Sequence, residues 1–101
     1  MKSKSHTASE SRHLARVARV PCVLCTLMGL GDSPALVHHM KLGTGAADRA
    51  DHFLTIAVCE PHHVGPEGIH QLKERGLRLR YNVSEIDLLA MTYRAIEEMR
   101  A

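Results

Sequence analysis

The pattern of apolar and polar positions predicts a helix close to the start of the chain. Between residues 9 and 19, apolar residues recur three and four positions apart, and arginines occupy the opposite face. Ser9 and Ser11 are both of a residue type that caps helices, so either can begin this one. Pro21 ends it, because proline disfavours the helical conformation in the residue before it.

Two short apolar runs in the middle of the chain predict a pair of β-strands. The first covers residues 35–40, and the second, which is partly β-branched, covers residues 53–58. Residues 41–51 between them are rich in Gly, Ala and Asp, which is typical of a loop. We therefore expect the two strands to pair in antiparallel fashion.

The segment at residues 69–83 allows two interpretations. The alternation of Leu77, Leu79 and Tyr81 indicates a strand, whereas apolar spacings of three and four across the whole segment indicate a helix. We favour the helix, because the window is long and its polar residues are strong helix formers. If Gly76 ended a shorter helix, the strand interpretation would return.

The C-terminal segment has the clearest helical pattern. Ser84 can cap the helix, and acidic residues follow in the first turn, where they favour the helix dipole. Ile86, Leu89, Tyr93 and Ile96 form one apolar stripe. This helix is expected to serve packing or a dimer contact, while the oligomeric state itself stays open.

Length and cysteine content limit the classes of protein to which the chain can belong. Its 101 residues suffice for one domain, which we place at residues 10–101 behind a flexible tail at residues 1–9. No apolar run is long enough for a membrane span, and the first residues lack a signal-peptide pattern, so we expect no membrane partner. The odd number of cysteines, three, argues against a disulfide framework and indicates a cytoplasmic location.

The charge of the chain leaves nucleic-acid binding open. The net charge is only +2, which does not by itself indicate a nucleic-acid-binding protein. Arginines nevertheless form two clusters along the sequence: Arg12, Arg16 and Arg19, and then Arg75, Arg78 and Arg80. Each cluster is either a solvated helix face or a surface for phosphate groups.

Three cysteines and one histidine form two pairs with the same spacing, Cys22-x2-Cys25 and Cys59-x2-His62. A two-residue gap lets both side chains of a turn reach one ion, and two such turns complete a tetrahedral shell of three thiolates and one imidazole. The alternative is that these residues are buried free thiols, which are common in protein cores. Because all three cysteines fall in the two pairs, we favour a structural Zn²⁺ site.

With further histidines around this framework, the chain resembles a known group of nucleases. The likeness covers about residues 14–81 and rests on the two zinc pairs, on His38-His39, on His63 directly after the second pair, and on the helix that follows. The chain is similar to the HNH, or ββα-metal, endonuclease superfamily, and more closely to the phage recombination-enhancement, RecA-dependent nucleases. This resemblance implies an α+β fold, with a zinc-stabilised ββα-metal core between N-terminal and C-terminal helices.

The resemblance implies a role for each of these histidines. His39 corresponds to the general base that deprotonates the attacking water, a task that suits an imidazole near neutral pH. His38 and His63 correspond to ligands of a catalytic divalent ion, and His70 is a candidate third ligand. The ion, which can be Mg²⁺, Mn²⁺ or Zn²⁺, would stabilise charge on the scissile phosphate. An all-imidazole shell suits Zn²⁺, Ni²⁺ or Mn²⁺ better than Mg²⁺.

Two features of the sequence bear on the roles of these histidines. Adjacent residues on a regular strand face opposite sides, so His38 and His39 share one site only at a twist, a bulge or a strand end. Where the superfamily has an asparagine that orients the base, this chain has Leu54 and Thr55. Asp51 or Thr55 is therefore the candidate to orient His39. The other histidines, His6, His13 and His52, are interpreted as surface or core residues.

The resemblance implies a metal-dependent DNA endonuclease that hydrolyses phosphodiester bonds, with DNA as its substrate and a phage or prophage role in recombination or DNA processing. A RecA-like recombinase filament is an implied partner. The first alternative is a zinc-stabilised nucleic-acid-binding module without cleavage activity. A second alternative is a small zinc scaffold that binds only protein.

Overall fold

The structure, a computed structural model, describes residues 6–40 and 51–100. The tail residues 1–5, residues 41–50 of the expected loop and Ala101 lie outside this range. Within it the chain has a small α+β fold. The elements are α1 (Ala8–Val17), α2 (Val23–Leu27), β1 (Leu36–His39), β2 (Thr55–Val58), α3 (Glu60–Val64), α4 (Ile69–Tyr81) and α5 (Glu85–Arg100). In the two described segments, no helix combines the length and the apolar character that a membrane crossing requires.

The two strands form an antiparallel pair, as the sequence predicts. Leu36 lies opposite Val58, and His39 lies opposite Thr55. All four residues of β2 are buried, because α1, α2 and α5 pack against this strand. In β1 only His38 is buried, so β1 is the strand that borders solvent.

One core joins the helices to β2. Its largest fully buried apolar side chains include Leu24 of α2, Ile56 of β2, Leu77 of α4 and Leu88 of α5. Burying an aliphatic side chain of this size contributes about 1.5–3 kcal/mol to folding. The core therefore fixes the relative positions of the elements that carry the cysteines and histidines.

The cap of α1 lies earlier than either predicted serine. The side chain of Thr7 accepts a hydrogen bond from the backbone N–H of Glu10 at 3.1 Å, and the Glu10 carboxylate accepts one from the backbone N–H of Thr7 at 2.9 Å. This reciprocal pair is a capping box, which needs an acidic or amide side chain three residues after the cap. Neither Ser9 nor Ser11 is followed by one at that distance.

Ser84 caps α5, as predicted. Its hydroxyl accepts a hydrogen bond from the backbone N–H of Asp87 at 3.0 Å, and the Asp87 carboxylate accepts one from the backbone N–H of Ser84 at 2.9 Å. These bonds hold the pKa of the Asp87 carboxyl below its ordinary value, because they favour the charged form.

The predicted apolar stripe of α5 is wrong: the buried face of the helix is rotated from it by a fraction of a turn. The buried residues are Leu88, Thr92 and Ile96, whereas Ile86 is 52 % exposed and Tyr93 is 39 % exposed. The cause is a buried threonine hydroxyl, which apolar periodicity ignores. Thr92 Oγ1 accepts a hydrogen bond from the backbone N–H of Ala57 in β2 and donates one to the Leu88 carbonyl.

Residues 69–81 form a helix, which confirms the favoured interpretation, but the helix has a kink. Lys73 has φ 59° and ψ −171°, a conformation that interrupts the helical ladder. Such a backbone costs a residue with a side chain about 1–3 kcal/mol. The kink lies at Lys73 and not at Gly76, the residue at which the sequence allowed the helix to end. It separates the turn that carries His70 from the turn that buries Leu77.

Candidate metal centres

The three cysteines and His62 converge on one point. His62 Nδ1 lies 3.5 Å from the Sγ atoms of both Cys22 and Cys25, and 3.3 Å from Cys59 Sγ. The Sγ atoms of Cys25 and Cys59 are 3.8 Å apart. All three cysteines are buried and none forms a disulfide.

These distances fit a tetrahedral zinc shell. With Zn–S bonds of about 2.3 Å and a Zn–N bond of about 2.0–2.1 Å, ligand atoms at tetrahedral angles are about 3.8 Å apart for two sulfurs and about 3.5 Å apart for sulfur and nitrogen. The four distances given above match this spacing, and all four donor atoms lie within 4.8 Å of one another, so the side chains can hold a metal such as Zn²⁺. The shell has no position left for water or substrate, which is typical of a structural ion.

The two residue pairs of the cysteine cluster occupy the same places in a short helix. Cys22 and Cys59 are the N-cap residues of α2 and α3, and their partners Cys25 and His62 lie three residues later, in the first turn. The spacing of a helix cap and its third residue therefore accounts for both two-residue gaps. The sequence predicts tight turns at these places, and the structure continues each turn into a five-residue helix.

Neighbouring groups already support negative charge on this cluster. The backbone N–H of Cys25 donates to Cys22 Sγ at 3.4 Å, and the hydroxyl of Ser33 donates to Cys25 Sγ at 3.3 Å. Burial nevertheless raises the pKa of the Cys22 thiol to about 11. A metal ion that binds here at neutral pH must therefore displace a proton from Cys22.

A second group of donors contains only histidines. One ligand nitrogen from each of His38, His63 and His70 lies within 4.8 Å of the others. The Nε2 atoms of His63 and His70 are 3.0 Å apart, close to the about 3.3 Å that two imidazole nitrogens keep on one tetrahedral ion. Burial lowers the pKa of His63, and His38 and His70 lower it further, which favours the neutral ligand form.

The fold brings these three histidines together from three elements. His38 lies in β1, His63 in α3 and His70 in the first turn of α4, and α3 contacts both β1 and α4. The approach of α4 to α3 requires a glycine at position 68, since a Cβ there would lie 2.7 Å from the carbonyl carbon of His62. Successive residues of a helix point about 100° apart, so His62 and His63 serve different clusters.

His39 lies beside the histidine cluster and bonds to another histidine. It is the last residue of β1, and its side chain borders the same pocket as His38 and His70. His39 Nε2 and His52 Nδ1 are 3.0 Å apart, so one of the two rings donates to the other. Burial lowers the pKa of His39, with further lowering from His52 and His38. Its imidazole is therefore neutral at pH 7 and can accept a proton.

The pocket is open and lined by groups of both charges. Its volume is about 370 Å³. Besides histidines it is bordered by Lys73, at the kink of α4, and by Glu74 and Glu85. A cationic side chain beside a cluster of metal-binding groups is a suitable surface for an anionic substrate.

The two residues predicted to orient His39 have other contacts. The Asp51 carboxylate accepts a hydrogen bond from the backbone N–H of Phe53 at 2.9 Å. The Thr55 hydroxyl donates to the backbone carbonyl of His52 at 3.1 Å. Within the part of the chain that the structure describes, the side chain that bonds to His39 is His52, which the sequence did not single out.

Glu85 is the second residue that the sequence did not connect with the site. Its Oε2 atom lies 3.1 Å from His38 Nε2. The two residues are 47 positions apart, so no local pattern links them. Of the other two histidines, His13 is buried against the rings of Phe53 and Tyr93, whereas the ring of His6 contacts His52.

Comparison with known proteins gives one result that covers nearly the whole chain. Residues 6–96 match the family described as recombination enhancement, RecA-dependent nuclease. No curated protein matches the chain. The matched range contains both candidate metal-binding clusters, and also His39 and His52. The chain therefore belongs to the recombination enhancement, RecA-dependent nuclease family.

Proposed function

We propose that the protein is a metal-dependent DNA endonuclease of the HNH type, whose ββα-metal core consists of β1, β2 and the helices α3 and α4. The observation that supports this most is the placement of His39 beside a three-histidine cluster. A separate Cys3His cluster adjoins it, because the neighbouring residues His62 and His63 belong to different clusters. A closed shell suits a scaffold ion, and a three-ligand site suits an ion that also meets substrate.

His39 is the general base of the proposed reaction. When its Nε2–H donates to His52 Nδ1 across the 3.0 Å contact, the lone pair of the neutral ring is on Nδ1. This nitrogen then accepts a proton from the water that attacks the phosphodiester. In this tautomer the contact with His52 fixes the orientation of the ring, so we assign to His52 the orienting role for which the sequence indicates Asp51 or Thr55.

His38, His63 and His70 hold the catalytic ion. Three neutral imidazoles form a donor set that suits Zn²⁺ or Mn²⁺ better than Mg²⁺. When bound, a divalent ion stabilises negative charge that develops on the scissile phosphate and the leaving oxygen. Lys73 lies at the border of the pocket, where its ammonium group can attract the DNA backbone.

DNA is the proposed substrate class, and the family description supports a link with a RecA-like recombinase. The proposed setting, a phage or prophage role in the cytoplasm, rests on the resemblance described for the sequence. On α4, Arg78 and Arg80 form ion pairs with Glu74 and Glu67 at 3.4 Å and 2.6 Å. These side chains are about half exposed or more, so the pairs are weak and can be exchanged for phosphate contacts.

One observation favours a second candidate, a zinc-stabilised nucleic-acid-binding module without cleavage. Leu54 and Thr55 stand where the superfamily has its asparagine, and the Thr55 hydroxyl bonds to a backbone carbonyl and not to His39. If His52 does not replace that asparagine, the protein still binds metal ions and DNA but does not cleave the DNA.

A plasmid assay separates the two candidates. Wild-type protein and His63→Ala are incubated with supercoiled plasmid and with Mg²⁺, Mn²⁺, Ni²⁺ or Zn²⁺, each with and without a recombinase filament on single-stranded DNA. We expect nicking by the wild type with at least one ion and a loss of about 10²-fold or more for His63→Ala, because one metal ligand is removed.

The zinc content of both proteins is the control in this assay. His63→Ala should keep the ion bound by the cysteines, since His63 does not belong to that cluster. Plasmid that the wild type shifts on a gel but leaves intact with every ion and with the filament would instead establish the binding module.

A further inference from the structure

The two ring nitrogens of His38 lie in different surroundings. The residue is 5 % exposed. Its Nε2 lies 3.1 Å from the Glu85 carboxylate. Its Nδ1 is buried and has no hydrogen-bond partner among residues 6–40 and 51–100. Leaving a buried polar atom without a partner destabilises the fold, so we expect this nitrogen to bind a ligand that the described residues do not supply.

The contact with Glu85 determines which nitrogen of His38 can bind an ion. An ionised carboxylate only accepts hydrogen bonds, so the proton of the neutral ring must be on Nε2. The lone pair is then on Nδ1, the nitrogen without a partner. The rings of His63 and His70 lie against His38, with centroids 5.3 and 5.0 Å from its own.

Glu85 is itself held by the core of the protein. It is the first residue of α5, directly after the cap residue Ser84, and α5 packs against β2. The backbone N–H of Glu85 donates to the Glu74 carboxylate of α4 at 3.1 Å. The backbone that carries this carboxylate is therefore fixed relative to both β2 and α4.

We propose that Glu85 is a positioning residue for the histidine site, and that His38 binds the ion through Nδ1 while its Nε2–H donates to Glu85. Metal-binding histidines commonly donate their second nitrogen to a carboxylate, which orients the ring and makes it a stronger ligand. This inference rests on the proposed function only in requiring that the three histidines bind a divalent ion.

Long-range proton–nitrogen NMR correlation of the imidazole rings tests the assignment directly. Protein that carries its cysteine-bound zinc is titrated with further Zn²⁺. We expect the His38 spectrum to show a protonated Nε2 and a shift of Nδ1 as the second ion binds. Metal bonding at Nε2 would overturn the inference and leave the proposed function standing.

The affinity for the second Zn²⁺ provides a second readout, measured by calorimetry on Glu85→Ala and Glu85→Gln. We expect Glu85→Ala to weaken binding by about 10- to 100-fold. Glu85→Gln should weaken it less, since its amide oxygen still accepts from Nε2–H. The cysteine-bound ion is the internal control, and it should be unaffected in both variants.

Three results would overturn the positioning role of Glu85. They are an unchanged affinity in Glu85→Ala, an equal loss in both variants, and loss of the cysteine-bound ion in Glu85→Gln, which would indicate a general effect on folding. Wild-type protein that binds no second ion would overturn both this inference and the proposed function.

Discussion

Replacing Cys25 by serine is expected to unfold the protein. The Cys25 sulfur is one of four donors that connect the N-terminal end of α2 to that of α3, and serine is a far poorer zinc ligand than a thiolate. A structural zinc ion contributes about 10–16 kcal/mol of apparent binding energy in small zinc domains. The net stability of a whole domain is about 5–15 kcal/mol, so the loss of the ion is comparable to the entire stability.

Circular dichroism with thermal melting measures this effect. Cys25→Ser should show little helix and no cooperative transition, and a strong chelator should have the same effect on the wild type. His70→Ala is the matched control, because His70 is exposed and lies outside the cysteine cluster. A cooperative melt of Cys25→Ser at the wild-type midpoint would show that the cluster does not hold a structural ion.

Replacing His39 by alanine is expected to lower the rate of DNA cleavage by about 10²–10⁴-fold, which is the usual contribution of a general base. Metal content and thermal stability should change little, since His39 belongs to neither metal cluster and is only partly buried. Single-turnover nicking of supercoiled plasmid at saturating divalent ion measures the rate.

Chemical rescue distinguishes a base from a structural histidine at position 39. Added imidazole should restore part of the activity of His39→Ala, because it can enter the open pocket and accept the proton. His52→Ala is the companion variant, and it should lose less activity than His39→Ala, since it removes only the contact that orients the base. A His39→Ala rate within a few-fold of the wild type would exclude the proposed role.

The local features of the cysteine cluster are predictable from the sequence. Cys22 with Cys25 and Cys59 with His62 each span a helix cap and its third residue, so the spacing alone indicates the geometry. The strand pair and α4 also follow from local patterns of apolar residues. Short-range spacing is therefore enough to predict this part of the site. The roles of the histidines were predicted from the resemblance to known nucleases.

The contacts that complete the site could not be predicted, because they join distant parts of the chain. Glu85 reaches His38 only because α5 folds back across β2. His52 meets His39 because antiparallel pairing places the start of β2 beside the end of β1. The buried hydroxyl of Thr92 shifted the apolar face of α5 for the same reason, since its partner Ala57 lies in β2.

The central claim is that the protein uses two ions for two tasks, one for folding and one for cleavage. The most direct measurement is the nicking rate of a single preparation that carries one Zn²⁺ per chain, before and after a second divalent ion is titrated in. We predict folded but inactive protein with one ion, and cleavage that rises as the second ion binds to the histidines. Full cleavage with one ion per chain, or a folded protein that holds no metal, would contradict the claim.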